Sequence, residues 1–398
     1  MTMLRGVFLF AVAVSPFGSA AAQDSDLFRS SVSPQLKLTL GVEIQSSVNG
    51  TTTLAEPRQI LASSSGIYIL DPLMPGVTRF DRQGEWIGTI GEKGEGPGEF
   101  RSPDSMGWLS DTLWVVDRDL GRLSLFDRDM VHVNSVSFRI VTGTTLAMPR
   151  AAVGPWVLSL PYISANAKAR EDSVPLLAFD RGGDVRDTLA WIAGGRSTVS
   201  VTITRQGEDR QVVSVRNPFD TRGLMAHDPQ SRWVYIGTWG TDSNDESYLK
   251  LVKLSADGDT VNAAELPIER VPATGGDVRA HARRLRDEAP ELLRQRLSVS
   301  TLTRAFLSQV PDPSISGVDA MLASEEGTIW LRRTMWIDEA ASERWLAFRW
   351  HEGLVGHVVL PMGESMLATT GGMLWSISHD ALGLPSIKGW SVTSYPGN

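Results

Sequence analysis

Cysteine is absent from the 398 residues. That excludes disulfides, thiol catalysis, cysteine-ligated zinc or iron–sulfur centres and a cysteine-linked lipid anchor. Long apolar runs are missing too. Beyond residue 22 no stretch approaches the length that a membrane-spanning helix requires, so no membrane span is expected. There is no excess of basic residues either, with 38 Lys and Arg against 46 Asp and Glu and a net charge of −8. Composition therefore gives no electrostatic case for nucleic acid as a partner. The six histidines, His132, His227, His281, His351, His357 and His379, show no metal-ligand spacing. No Gly-x-Ser-x-Gly or phosphate-loop arrangement occurs.

What is present is ordinary globular content, 42% hydrophobic and 21% charged, with 37 Gly and 13 Trp. The glycines and the scarcity of long helical patterns lean toward an all-β fold with many turns. The first 22 residues read as a signal peptide. Arg5 precedes an apolar core at residues 6–14, and the small residues Ala20 and Ala22 precede Gln23. The expected location is periplasmic or extracellular, as a soluble protein. Residues 23–35 are expected to be a flexible segment, and residues 36–398 a single domain.

That domain repeats. Residues 67–82 (IYILDPLMPGVTRFDR) align without a gap on residues 113–128 (LWVVDRDLGRLSLFDR), bringing Asp71 onto Asp117, Phe80 onto Phe126 and Asp81 onto Asp127. An aromatic residue marks the start of an equivalent strand at Tyr68, Trp114, Trp156, Trp233, Trp330 and Trp375, each preceded by turn residues and another short strand. Most spacings are those of a four-stranded blade, and two are lengthened by insertions. The pattern predicts a six-bladed β-propeller whose equivalent aromatics pack between blades. The final unit has room for three strands only. Residues 36–44 (LKLTLGVEI) are expected to supply its fourth and so close the ring.

Residues 91–103 (GEKGEGPGEFRSP), between the first two units, form a Gly-rich linker ending in Gly-x-Phe-x-x-Pro. Together with the Phe-Asp turns it resembles the NHL-repeat-like group of exported bacterial six-bladed propellers. In that group an Arg or His commonly precedes the third strand; Arg122 holds the position in the second unit and Gly76 in the first. The resemblance implies architecture and no particular reaction.

Both insertions fall in crossovers between blades, at the end of the ring that also carries the loops between second and third strands. The first, about 191–222, reads as a long hairpin with RQGEDRQ at its tip. The second, about 271–314 and between blades 4 and 5, reads as helical and Arg-rich. This elaborated end is the expected binding face. The candidate ligand-binding residues are Asp71, Asp117, Arg118, Arg205, Arg210, Trp239, Arg283, Arg286 and Arg333. Asp71 and Asp117 also fit a turn-capping role. No catalytic or metal residues are singled out. Residues 241–247 (TDSNDES) lack the Gly and distal Glu of a calcium loop, so no motif supports calcium. Asn49-Gly50 reads as a hairpin turn. The expected function is a monomeric, non-enzymatic binding or scaffold propeller for a protein, peptide or glycan. The alternative is a metal-assisted hydrolase or lyase of the lactonase-like six-bladed type.

Overall fold

The computed structural model describes residues 33–48, 51–74, 76–137, 146–162, 173–193, 198–203, 211–219, 223–244, 246–268, 270–289, 291–310, 313–334 and 342–393. Six four-stranded antiparallel sheets form a six-bladed β-propeller. The first blade comprises Gln59–Ser63, Gly66–Leu70, Val77–Phe80 and Trp86–Ile90, and the second Pro103–Leu109, Thr112–Asp117, Arg122–Phe126 and His132–Ser137. The third is Leu146–Val153, Trp156–Tyr162, Ser173–Phe179 and Val185–Ala193; the fourth Leu224–His227, Val234–Thr241, Ser247–Leu254 and Thr260–Leu266. The fifth is Val318–Ala323, Ile329–Arg333, Arg344–Arg349 and Gly353–Val359. The sixth combines Ser365–Thr370, Met373–His379 and Pro385–Thr393 with the N-terminal strand Lys37–Gln45. First strands of neighbouring blades pack on one another, so these strands line the axis.

Burial explains why inner strands lack polar alternation. Gly66–Leu70 is buried at every position, because each blade is covered on both faces by its neighbours. Ring closure follows the same logic. Lys37–Gln45 pairs antiparallel with Pro385–Thr393 as the outer strand of the last blade, so the N-terminal strand and the C-terminal strand lie side by side. Just before it, His357 on the outer strand of the fifth blade donates its backbone N–H to Pro34 O at 3.0 Å and accepts from Leu36 N at 2.7 Å. The N-terminal segment therefore bridges the fifth and sixth blades.

The repeat aromatics divide into two groups. Tyr68, Trp114 and Trp375 are fully buried and Trp330 is 6% exposed, packing between sheets as expected. Trp156 and Trp233 are only half-buried, which corrects the equivalence read for blades three and four. In the third blade the turn has the usual two residues and Trp156 is the first residue after it, paired with Val153 at the hairpin end; in the fourth blade hairpin length is the reason. Most first-to-second hairpins have two turn residues, but the fourth blade has six, residues 228–233, between the paired His227 and Val234. Trp233 is therefore in the turn, its ring 4.0 Å from Lys253 Nζ, and Tyr235 is the buried aromatic of that blade.

The long hairpin ties the ring together at the end opposite the crossovers. Pro229 O accepts from Trp108 N (3.0 Å), Ser231 O from Gly154 N (3.2 Å) and Ser231 Oγ from Trp114 Nε1 (2.9 Å). Arg232 Nη2 donates to Glu325 O at 2.6 Å. The fourth blade thus bonds to the second, third and fifth. Asp228, fully buried, holds the loop by accepting from Arg232 N (2.7 Å) and Trp233 N (2.8 Å) and pairing with Arg232 Nε (3.0 Å). This end of the axis is filled with framework bonds.

Candidate functional site

The sequence shows two separate insertions, a hairpin and a helical run; the structure joins them. Strands Thr198–Ile203 and Gln211–Arg216 form the expected hairpin, while Gly275–Glu288 (α1), Glu291–Arg294 (α2) and Val299–Gln309 (α3) form the helical part. Val199, Val201 and Phe219 of the first insertion share one buried cluster with Val278, Ala282, Leu302 and Phe306 of the second. Gln309 fixes the register, accepting from Ser200 N (3.0 Å) and donating to Ser200 O (2.8 Å). The two longer helices, α1 and α3, start on side-chain caps. Thr274 and Asp277 form a reciprocal capping box on α1, and Ser298 Oγ accepts from Thr301 N on α3. The result is one packed unit standing on the crossover end.

A groove runs between α1 and α3. One part, about 700 Å³, is lined by residues that include Arg279, Thr303, Arg304 and Leu307. A second part, about 560 Å³, adjoins it at Val299 and Ser300 and includes Arg286 and Arg294. Leu307 is 49% exposed in the groove wall. Among the described residues Arg279 and Arg304 make no ion pair, so their guanidinium groups are open to an acidic ligand.

The expected site residues divide sharply. Asp71 and Asp117 are fully buried and bind backbone. Asp71 Oδ2 accepts from Ala55 N (2.6 Å) and Glu56 N (2.8 Å), and Oδ1 from Leu73 N (2.9 Å). Asp117 Oδ2 accepts from Arg101 N (2.6 Å) and Ser102 N (3.0 Å), and Oδ1 from Leu120 N (2.9 Å). Their carboxylates are occupied in joining each crossover to the following loop. Arg118 is exposed beside Asp104. Arg205 and Arg210 lie outside the described residues, as does Asn49-Gly50. Trp239 is half-buried and packs against the core between blades four and five. Arg283 is exposed without lining the groove, and Arg286 lines it while paired with Asp287 through Nε at 2.8 Å. Arg333 is half-buried on the second strand of the fifth blade.

Sequence reading missed Arg279 and Arg304. Arg279 shares a face of α1 with Arg283 and Arg286, and that spacing was the available signal. In residues 241–247, of which Asp245 lies outside the described residues, Thr241 and Ser247 end the paired strands, and Asp242 Oδ1 accepts from Asn244 N and Glu246 N, both at 2.8 Å. Among the described residues no three His, Asp or Glu side chains group as metal ligands.

Other Arg side chains show how this chain satisfies structural cations. Arg122 donates to the carbonyls of Glu95 (2.9 Å), Gly96 (2.6 Å) and Glu99, holding the Gly-rich crossover. That crossover buries Phe100 against Phe126, 5.9 Å between centroids. It needs Gly91, whose φ is +78° and where a Cβ would lie 2.4 Å from the Phe100 ring. Arg332 bonds Asp319 Oδ1 at 2.7 Å and Glu343 Oε1 at 3.2 Å. Burial opposes its charge, but the two carboxylates together outweigh burial and raise its pKa.

No family model matches the chain, and no curated protein matches it. Solved structures do. A Bacteroides fragilis protein described as exported aligns at 10% identity and a TM-score of 0.49, covering 90% of this chain and 96% of its own. A member of the duf4221 family from Bacteroides vulgatus aligns at 8% identity and a TM-score of 0.45, covering 91% and 99%. A streptogramin B lyase aligns at 9% identity and a TM-score of 0.38, covering 92% and 100%.

Proposed function

We propose that this chain is an exported, non-enzymatic binding propeller that takes a protein, peptide or glycan ligand at its crossover end. The observation that carries the reading is the fusion of two separate crossover insertions into one packed unit with its own core and an Arg-lined groove. The six blades are complete without that unit. Loops built onto a rigid scaffold are where binding residues concentrate. Open guanidinium groups beside an exposed Leu favour an acidic peptide segment, with the cations steering and the apolar side chain anchoring it. The export reading rests on the pattern of the first 22 residues and is compatible with the described helices, none of which is long and apolar enough to cross a membrane. The Arg122 clamp on the Gly-rich crossover supports an NHL-like organisation of the first two blades.

Fluorescence anisotropy with a labelled Glu- and Asp-rich peptide tests the reading. Binding should weaken at least tenfold in the double variant Arg279→Glu, Arg304→Glu and fall with rising salt. Equal binding by the variant at unchanged melting temperature would remove the groove from the site.

A further inference from the structure

A second place on the crossover end has polar groups left open, and it belongs to the propeller itself. On the first strand of the second blade the pairing slips between Pro103↔Asp117 and Ser105↔Val116, leaving Asp104 outside the ladder. On the first strand of the third blade it slips between Pro149↔Ser159 and Ala151↔Leu158, leaving Arg150 outside. Such bulges re-aim a side chain, and here both lie on the innermost strands of adjacent blades. Arg118 approaches Asp104 from the adjoining loop. Its backbone is fixed, because its N–H donates to Ser102 O at 3.1 Å and the turn after it is held by Asp117.

The three charged groups meet loosely. Arg118 Nη1 lies 3.8 Å from Asp104 Oδ1, and Arg150 Nη1 lies 3.9 Å from Asp104 Oδ2. Arg118 Nε is 3.8 Å from Asp119 Oδ1. All three separations exceed hydrogen-bond length. Neither guanidinium has a hydrogen-bond acceptor among the described residues, unlike those of Arg122 and Arg332. The hydroxyl of Ser105, at the same slip, is buried and also lacks a partner among the described residues. Arg118 and Arg150 side chains are 43% and 49% exposed, so a solute can reach them.

We propose that Arg118 and Arg150 form a seat for a carboxylate group at the crossover mouth, between the second and third blades. A guanidinium presents paired donors that match the two oxygens of a carboxylate. Asp104 and Asp119 already balance the two cations, so a singly charged carboxylate adds one negative charge to the seat, whereas a phosphate dianion would add two. The Asp104 carboxylate competes with the ligand and keeps the empty seat weakly paired. The seat is distinct from the groove between α1 and α3 and stands without it.

Isothermal titration with N-acetylglycine, a Glu-containing peptide and inorganic phosphate at constant ionic strength tests the proposal. Either carboxylate probe should bind with Kd on the order of 1 mM or tighter. Binding by N-acetylglycine points to a free small acid; binding by the peptide alone points to a protein segment. Arg118→Gln and Arg150→Gln should each weaken binding about tenfold, whereas Asp104→Asn should strengthen it by removing the competing carboxylate. A purely structural Asp104 would give no tighter binding. The groove variant Arg279→Glu, Arg304→Glu should bind N-acetylglycine normally. Failure of both carboxylate probes to bind, equal binding of phosphate, or unchanged affinity in both Gln variants would overturn the proposal.

Discussion

Asp71 and Asp117, 46 residues apart, hold the same pair of crossover N–H groups at the same sequence distance. Each binds the amides sixteen and fifteen residues upstream with one oxygen, and a loop amide just downstream with the other. One buried carboxylate per repeat thus fastens the incoming crossover to the outgoing loop. Asp71→Ala and Asp117→Ala should each destabilise the protein by about 3 kcal/mol, since buried amides lose a charged acceptor. Urea unfolding measures this, and the two losses should add, the sites being in different blades. Values below about 0.5 kcal/mol at both positions would contradict the fastening role.

The two classes of repeat tryptophan make a second comparison. Trp114→Ala and Trp375→Ala each empty a fully buried site and should cost about 3–5 kcal/mol. Trp156→Ala, at a half-buried hairpin end, should cost distinctly less. Equal costs at all three positions would restore the register read from spacing alone.

Stability should fall on mild acidification. Burial holds the imidazole of His227 below its ordinary pKa of 6.5, despite the opposing influence of the Asp228 carbonyl and carboxylate. Burial, reinforced by Arg344, does the same for His357 against the Ser33 carbonyl. With the folded pKa below the unfolded one, the unfolded chain takes up protons first. The contribution is therefore complete above about pH 6.5 and is lost as pH falls below it. Thermal melts between about pH 7.5 and 5 should show a declining midpoint, and His227→Gln should flatten the slope. A slope identical to wild type in that variant would remove His227 from the effect.

The joined insertions change what an excision should do. Replacing the helical part alone uncovers Val199, Val201 and Phe219, all buried against α1 and α3, so that variant should aggregate. Replacing both insertions with short linkers should leave cooperative unfolding and a β-rich circular dichroism spectrum. Light scattering and thermal melts distinguish the two, and a well-behaved helix-only deletion would show that the hairpin needs no cover.

These contrasts mark what is readable in the chain. The first two blades are legible because their repeat aligns without gaps and their second strands are mostly apolar and buried. The closing strand is legible because the last unit lacks a partner. The third blade misleads because Trp156 opens its strand at the hairpin end instead of standing two residues in, and the fourth because a six-residue turn around Asp228 looks no different from a strand start. The alternation Val199, Val201, Ile203 announces a face that needs a cover, but nothing local says that the cover lies about 100 residues away on α3. Asp71 and Asp117 are legible as equivalent, and both are buried with their carboxylates on backbone amides. Arg150 was invisible, because a bulge leaves no mark in composition.

The most direct test of a crossover-end binding face is amide hydrogen exchange with and without a bound acidic peptide. The account predicts slowed exchange in α1, α3 and the crossovers around them, with residues 228–233 at the opposite end unchanged. Protection concentrated in that hairpin, with none in the helical unit, would contradict it.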